Sequence, residues 1–194
     1  MKFIRKIYDK MLELSEGKGA MMALFAVAFA ESSFFPIPPD IMLIPMILAT
    51  PSKAWKIAGL ATFASVVGGY FGYAIGVFFF ELIAEPLLNF YGYLEKFQTF
   101  ESYYHEYGAW IVFGAGLTPF PYKIITIASG AVHLDLLVFT IASVLARGGR
   151  FFVVAWLLKK YGAPMKGFIE KNLGWLSVLF LILLIGGFWI LKYL

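Results

Sequence analysis

Proline breaks two of this chain's apolar stretches, and that feature limits its fold more than any other. Ala20–Thr50 is apolar, but Pro36-Ile37-Pro38-Pro39-Asp40 interrupts it and Pro45 follows. Gly108–Val132 is apolar too, and Thr118-Pro119-Phe120-Pro121-Tyr122-Lys123 interrupts it. Proline lacks a backbone donor and disfavours helix in the residue before it. Prolines this close together stop a helix outright. The halves left on either side run to ~10–15 residues, and a helix needs ~20 to cross a bilayer core of ~30 Å. Each broken stretch therefore reads as a helix–turn–helix that enters and leaves by one face. Non-helical backbone at membrane depth survives only where protein or a wet cavity surrounds it.

Lipid enters the argument through composition. Apolar residues make up 61% of the 194 and charged residues 14%, with a mean hydropathy of +0.80. Soluble domains average about 25% charged residues. Three further stretches are long and nearly free of charge: Lys56–Phe80, Leu136–Leu158 apart from an arginine pair, and Leu173–Leu191. Each is long enough to span. The expected fold is thus an all-α membrane protein in one domain over 1–194. It has two Pro-broken re-entrant hairpins, three transmembrane helices and interfacial amphipathic helices. Residues 20–80 form a first repeat and 108–158 a second, related by inverted topology, as in transporters built on broken helices. Segment 86–107, aromatic and charged at helical spacing, reads as an interfacial helix. Residues 1–19 read as an amphipathic N-terminal helix. Their basic residues and the Ala28-Phe29-Ala30 that follows also resemble a cleavable leader, but Phe3, Ile4, Ile7, Met11 and Leu14 recur at helical spacing.

Charge placement orients this arrangement. Residues 1–19, 51–56 and 159–172 hold eleven of the sixteen basic residues: Lys2, Arg5, Lys6, Lys10, Lys18, Lys53, Lys56, Lys159, Lys160, Lys166 and Lys171. The opposite side holds Lys96 and Lys192, against Glu81, Glu85, Glu95, Glu101 and Glu106. The positive-inside rule puts the basic side and the N-terminus in the cytoplasm, and the C-terminus outside. The net charge of +4 is then an orientation signal, and no nucleic-acid partner is expected. The chain contains no cysteine and two histidines, so neither a metal site nor a cofactor is expected. No nucleophile elbow or phosphate-binding glycine loop points to an enzyme.

Ionisable residues at membrane depth are costly and mark function by default. Glu31 precedes the first break and Asp40 follows it, and both are candidates for proton coupling. Asp40 equally suits the cap of the second half-helix. Lys123 follows the second break, where a half-helix N-terminus favours an anion; snorkelling to the interface is its bland alternative. Arg147 and Arg150, in Ala146-Arg147-Gly148-Gly149-Arg150, share one helix face. Paired guanidiniums recognise phosphate or carboxylate, or they pair internally with Glu31 and Asp40. Gly68, Gly72 and Gly76 form a small-xxx-small ladder, read as helix packing. His133 and Asp135 are weaker candidates for a proton path.

Three segments carry a family resemblance: Phe29-Ala30-Glu31-Ser32-Ser33-Phe34-Phe35-Pro36-Ile37-Pro38-Pro39-Asp40, then Gly116-Leu117-Thr118-Pro119-Phe120-Pro121-Tyr122-Lys123, then Ala146-Arg147-Gly148-Gly149-Arg150-Phe151-Phe152. Together they resemble the YqaA branch of the DedA superfamily, also called the VTT or SNARE-associated Golgi protein family, from about Gly17 to Gly162. The resemblance implies an inner-membrane protein with two facing re-entrant hairpins, linked to membrane homeostasis and the proton gradient. It implies movement of polyprenyl phosphate or phospholipid, with the family's carboxylates at Glu31 and Asp40. The second segment departs from the family. Leu117 and Thr118 stand where an Arg-Phe is expected, and Lys123 stands about where a second Arg would be. The expected function is a proton-linked carrier of an anionic lipid. A small-ion or drug antiporter and a non-transporting scaffold are the alternatives, and the sequence leaves open whether the chain forms a homo-oligomer.

Overall fold

The computed structural model describes residues 17, 19–35, 37–118 and 120–162, and every regular element among them is a helix. The helix expected over 1–19 falls outside these residues except for Gly17 and Gly19. So do the span expected over Leu173–Leu191, and Pro36 and Pro119.

Helix α1 is Ala20–Ser33. Ala20, Leu24, Ala28 and Ser32 are buried at four-residue spacing, so one stripe faces the protein. Apart from Glu31 and Ser33 near its end, the rest of the helix is apolar as well. The helix stops at Phe34, ahead of the proline run, and Ser33 Oγ donates to Phe29 O and Gly68 O at 2.7 and 2.8 Å. Helix α2, Asp40–Ala49, starts directly after Pro39, since proline suits a helix start. At 1.5 Å per residue α1 and α2 rise only about 21 and 15 Å. Leu24 of α1 and Met42, Leu43 and Ile47 of α2 share one buried core with Ile57, Phe151 and Leu158.

Helix α3 is Ala54–Phe79. A 3-10 turn at Pro51–Lys53 leads into it, and a π-helical turn at Phe80–Ala84 leads on to helix α4, Glu85–Tyr91. Pro86 explains the wide turn: it has no N–H to give, and its ring crowds the carbonyl four residues earlier. Helix α4 ends in a Schellman pair, Gly92 N–H to Asn89 O and Tyr93 N–H to Leu88 O at 3.2 and 2.9 Å. Gly92 takes the left-handed conformation, φ 69°, which that ending requires.

Helix α5 runs unbroken over Leu94–Leu117. The aromatic and charged stretch expected as part of a separate interfacial helix over 86–107 is thus divided. Its first part is α4, and its second is continuous with the apolar arm that reaches the second break. Composition changes near Gly108, but nothing there interrupts helical hydrogen bonding. Helix α6 is Tyr122–Ala131, preceded by Pro121. Helix α7 starts at Leu136 and continues to Gly162, four residues past the expected end at Leu158. Asp135 caps it, accepting from the N–H groups of Leu137 and Val138 at 2.9 Å each.

Two helical stretches, Pro51–Tyr91 and Leu136–Gly162, are long and apolar enough to cross a membrane. They run antiparallel. Trp55 meets Phe152 and Lys159, Ser65 meets Arg147, Tyr70 meets Thr140 and Tyr73 meets Leu134. The glycine ladder of α3 is where other helices cross it. A Cβ at Gly68 would collide with the Phe29 carbonyl of α1, and one at Gly76 with the Ile127 carbonyl of α6. One at Gly72 would strike Thr126 of α6 and crowd Ser32 O of α1. Thr126 Oγ1 donates to Ser32 O at 3.1 Å, so the end of α1 meets the middle of α6 on this face.

Candidate functional site

The first proline break ends α1 just after Glu31 and starts α2 at Asp40, leaving one carboxylate on each arm. Helix α7 answers both. Arg147 Nη2 donates to Glu31 Oε2 at 2.6 Å, and Arg150 Nη2 donates to Asp40 Oδ2 at 2.6 Å. The arginines are three residues apart, hence on one face of α7. One helix therefore ties down both arms of the first break.

The two pairs sit in different surroundings. The Arg147 side chain is 1% exposed and Glu31 15%. Arg147 Nε also donates to Ser65 Oγ. Ser65 Oγ lies 2.6 Å from Ser32 Oγ, which donates to Glu31 Oε2 at 3.2 Å. The guanidinium lies over two rings as well, with Cζ 4.9 Å from the Tyr122 centroid and 4.8 Å from the Phe151 centroid. Burying a charge costs several kcal/mol unless partners replace its water, and here rings, a hydroxyl and a carboxylate do so. Arg150 and Asp40 are 23% and 20% exposed, and each has the other as its one ion-pair partner among the described residues. A charge-assisted bond within reach of solvent can be exchanged for another anion.

Lys123, on the first turn of α6, is half-buried and has no ion-pair partner among the described residues; its carbonyl accepts from Thr126 Oγ1 at 2.9 Å. His133 and Asp135 stand apart from this cluster. Asp135 caps α7, and His133, at φ 50°, lies 3.7 Å from Glu81 on the π-helical turn.

Sequence reasoning missed the groups that hold Arg147 in place: Ser32, Ser65, Tyr122 and Phe151. Faint signals exist for three of them. Ser65 is a hydroxyl three residues before the glycine ladder, Tyr122 is the first residue past Pro121, and Phe151 lies four residues from Arg147, one helical turn away.

Comparison with known proteins adds a family and close relatives. The VTT domain matches residues 37–160, an interval that includes Asp40, Lys123, Arg147 and Arg150. An uncharacterized protein of Haemophilus influenzae is 37% identical over 196 residues, covering 99% of this chain and 100% of its own. An uncharacterized protein of Histophilus somni is 38% identical over 183 residues, covering 92% and 95%. No solved structure matches.

Proposed function

The chain belongs to the DedA/VTT family, and from that premise we propose that it is a membrane carrier for a lipid with an anionic headgroup, linked to proton movement. One observation carries this reading: two arginines on one helix are held by two carboxylates across a broken hairpin, with Arg147 fully buried and Arg150 partly exposed. A phosphate, like a carboxylate, offers guanidinium two anionic oxygens for paired hydrogen bonds, and a phosphomonoester carries more charge. A phosphorylated headgroup would take Asp40's place on Arg150. Lys123 would add a second cation from the opposite hairpin. Asp40, once displaced, is an intramembrane carboxylate without its cation and is suited to take up a proton. Polyprenyl phosphate and an anionic phospholipid share this chemistry.

In the same reading both broken hairpins are re-entrant and the two halves form an inverted repeat in the cytoplasmic membrane. The antiparallel course of α3 and α7, with Lys53 and Lys56 at the same end as Lys159 and Lys160, supports a basic cytoplasmic face. The enclosed Arg147 pair also favours a second reading, a scaffold in which the same charges only brace the fold.

The test is flipping of a fluorescent polyprenyl-phosphate analogue and of a neutral phospholipid, in proteoliposomes with an imposed proton gradient. The carrier reading expects gradient-dependent movement of the phosphate lipid alone, lost in Glu31→Gln. Equal movement of both lipids without a gradient would mean a scramblase. No movement of either would leave the small-ion or drug antiporter and the scaffold.

A further inference from the structure

Tyr122 joins the second break to the charges of the first. It opens α6 directly after Pro121, so its backbone belongs to the second hairpin. Its side chain is fully buried. The ring faces the Arg147 guanidinium at 4.9 Å, and its hydroxyl donates to Ser143 Oγ at 2.5 Å. Ser143 and Arg147 are one turn apart on α7, so both contacts of Tyr122 fall on a single stretch of that helix. The ring also fills the space beside Gly116, 3.4 Å from where a Cβ would stand there. The second ring over Arg147 has no such connection, because Phe151 lies on α7 itself and moves with Arg147.

We propose that Tyr122 is a positioning residue. Its ring holds Arg147 against Glu31, so displacement of the second break and opening of the Arg147–Glu31 pair are one coupled event. The inference deepens the carrier reading: beside the Thr126–Ser32 bond, which joins the two hairpins directly, Tyr122 links the second hairpin to the charges of the first. Coupling between sites needs a physical element that both sites bias, and Tyr122 contacts one and is covalently part of the other.

The test reads coupling without transport, so it stands or falls separately from the carrier reading. The chain has no cysteine. Phe35→Cys and Thr118→Cys, both exposed positions at the two breaks, carry spin labels in nanodiscs of anionic phospholipid. Electron–electron resonance then gives the distance between the breaks. Glu31→Gln is introduced into the native, Tyr122→Phe, Tyr122→Leu and Phe151→Leu backgrounds. The proposal expects Glu31→Gln to shift the distance distribution in the native, Tyr122→Phe and Phe151→Leu proteins, and the shift to be lost in Tyr122→Leu. An equal shift in Tyr122→Leu would overturn it, as would no shift in the native protein. Loss in Tyr122→Phe would also overturn it, by giving the role to the Ser143 hydrogen bond. Should Tyr122→Leu not fold, Tyr122→Met takes its place with the same expected loss.

Discussion

Arg147 and Arg150 are chemically identical and three residues apart, yet removing them should cost different amounts. Arg147→Ala leaves Glu31 in a largely enclosed site with one serine hydroxyl for a partner. Breaking a buried pair in this way costs ~3–5 kcal/mol. Arg150→Ala strands a carboxylate of similar exposure, 20% for Asp40 against 15% for Glu31, but it empties no pocket like the one that Tyr122 and Phe151 form around Arg147, so the loss should be smaller. Thermal unfolding in detergent compares them directly, and equal losses would mean the two sites are equally closed. The pairing partners were legible in the sequence because arginine and carboxylate are rare in apolar segments and have few others to choose from. The Ser65 hydroxyl and the Tyr122 ring around Arg147 were not, because they come from two other helices with no fixed spacing to it.

Among elements, α3 shows how glycine spacing becomes helix crossing. Gly76 faces backbone of α6, whereas Gly59, in the same helix, has nothing within 4 Å of its would-be Cβ. Gly76→Ala must push α6 away and should cost about 1–3 kcal/mol. Gly59→Ala should be neutral or stabilising by up to ~1 kcal/mol through helix propensity. Similar melting temperatures for the two variants would contradict the close crossing. The ladder itself could be read from the sequence, but not its partners, since four-residue spacing marks a contact face without naming the helix that fills it. The continuity of α5 escaped the sequence for the opposite reason. The charged stretch before Gly108 and the apolar stretch after it differ in environment, while their helical period is the same.

At the scale of the molecule, helix Pro51–Tyr91 has 41 residues and rises about 60 Å, twice the ~30 Å of a bilayer core. If α3 fills the core, the π-helical turn, α4 and the first turns of α5 extend beyond it. That extension carries Glu81, Glu85, Glu95 and Glu101 with Lys96 as its one lysine. Cysteines placed at Lys159 and Lys96 should label from opposite sides in intact cells, with Lys96→Cys reached from outside. Labelling of both from the same side would overturn the orientation that charge placement gives.

In the carrier reading, the unequal exposure of the two arginines also implies an order in time. An incoming anion would meet Arg150, 23% exposed, before Arg147, 1% exposed. The arm that begins at Asp40 would then be released first, while the arm that ends after Glu31 is still fastened. Opening would be a sequence of two steps, with an intermediate that has one arm free and the other held.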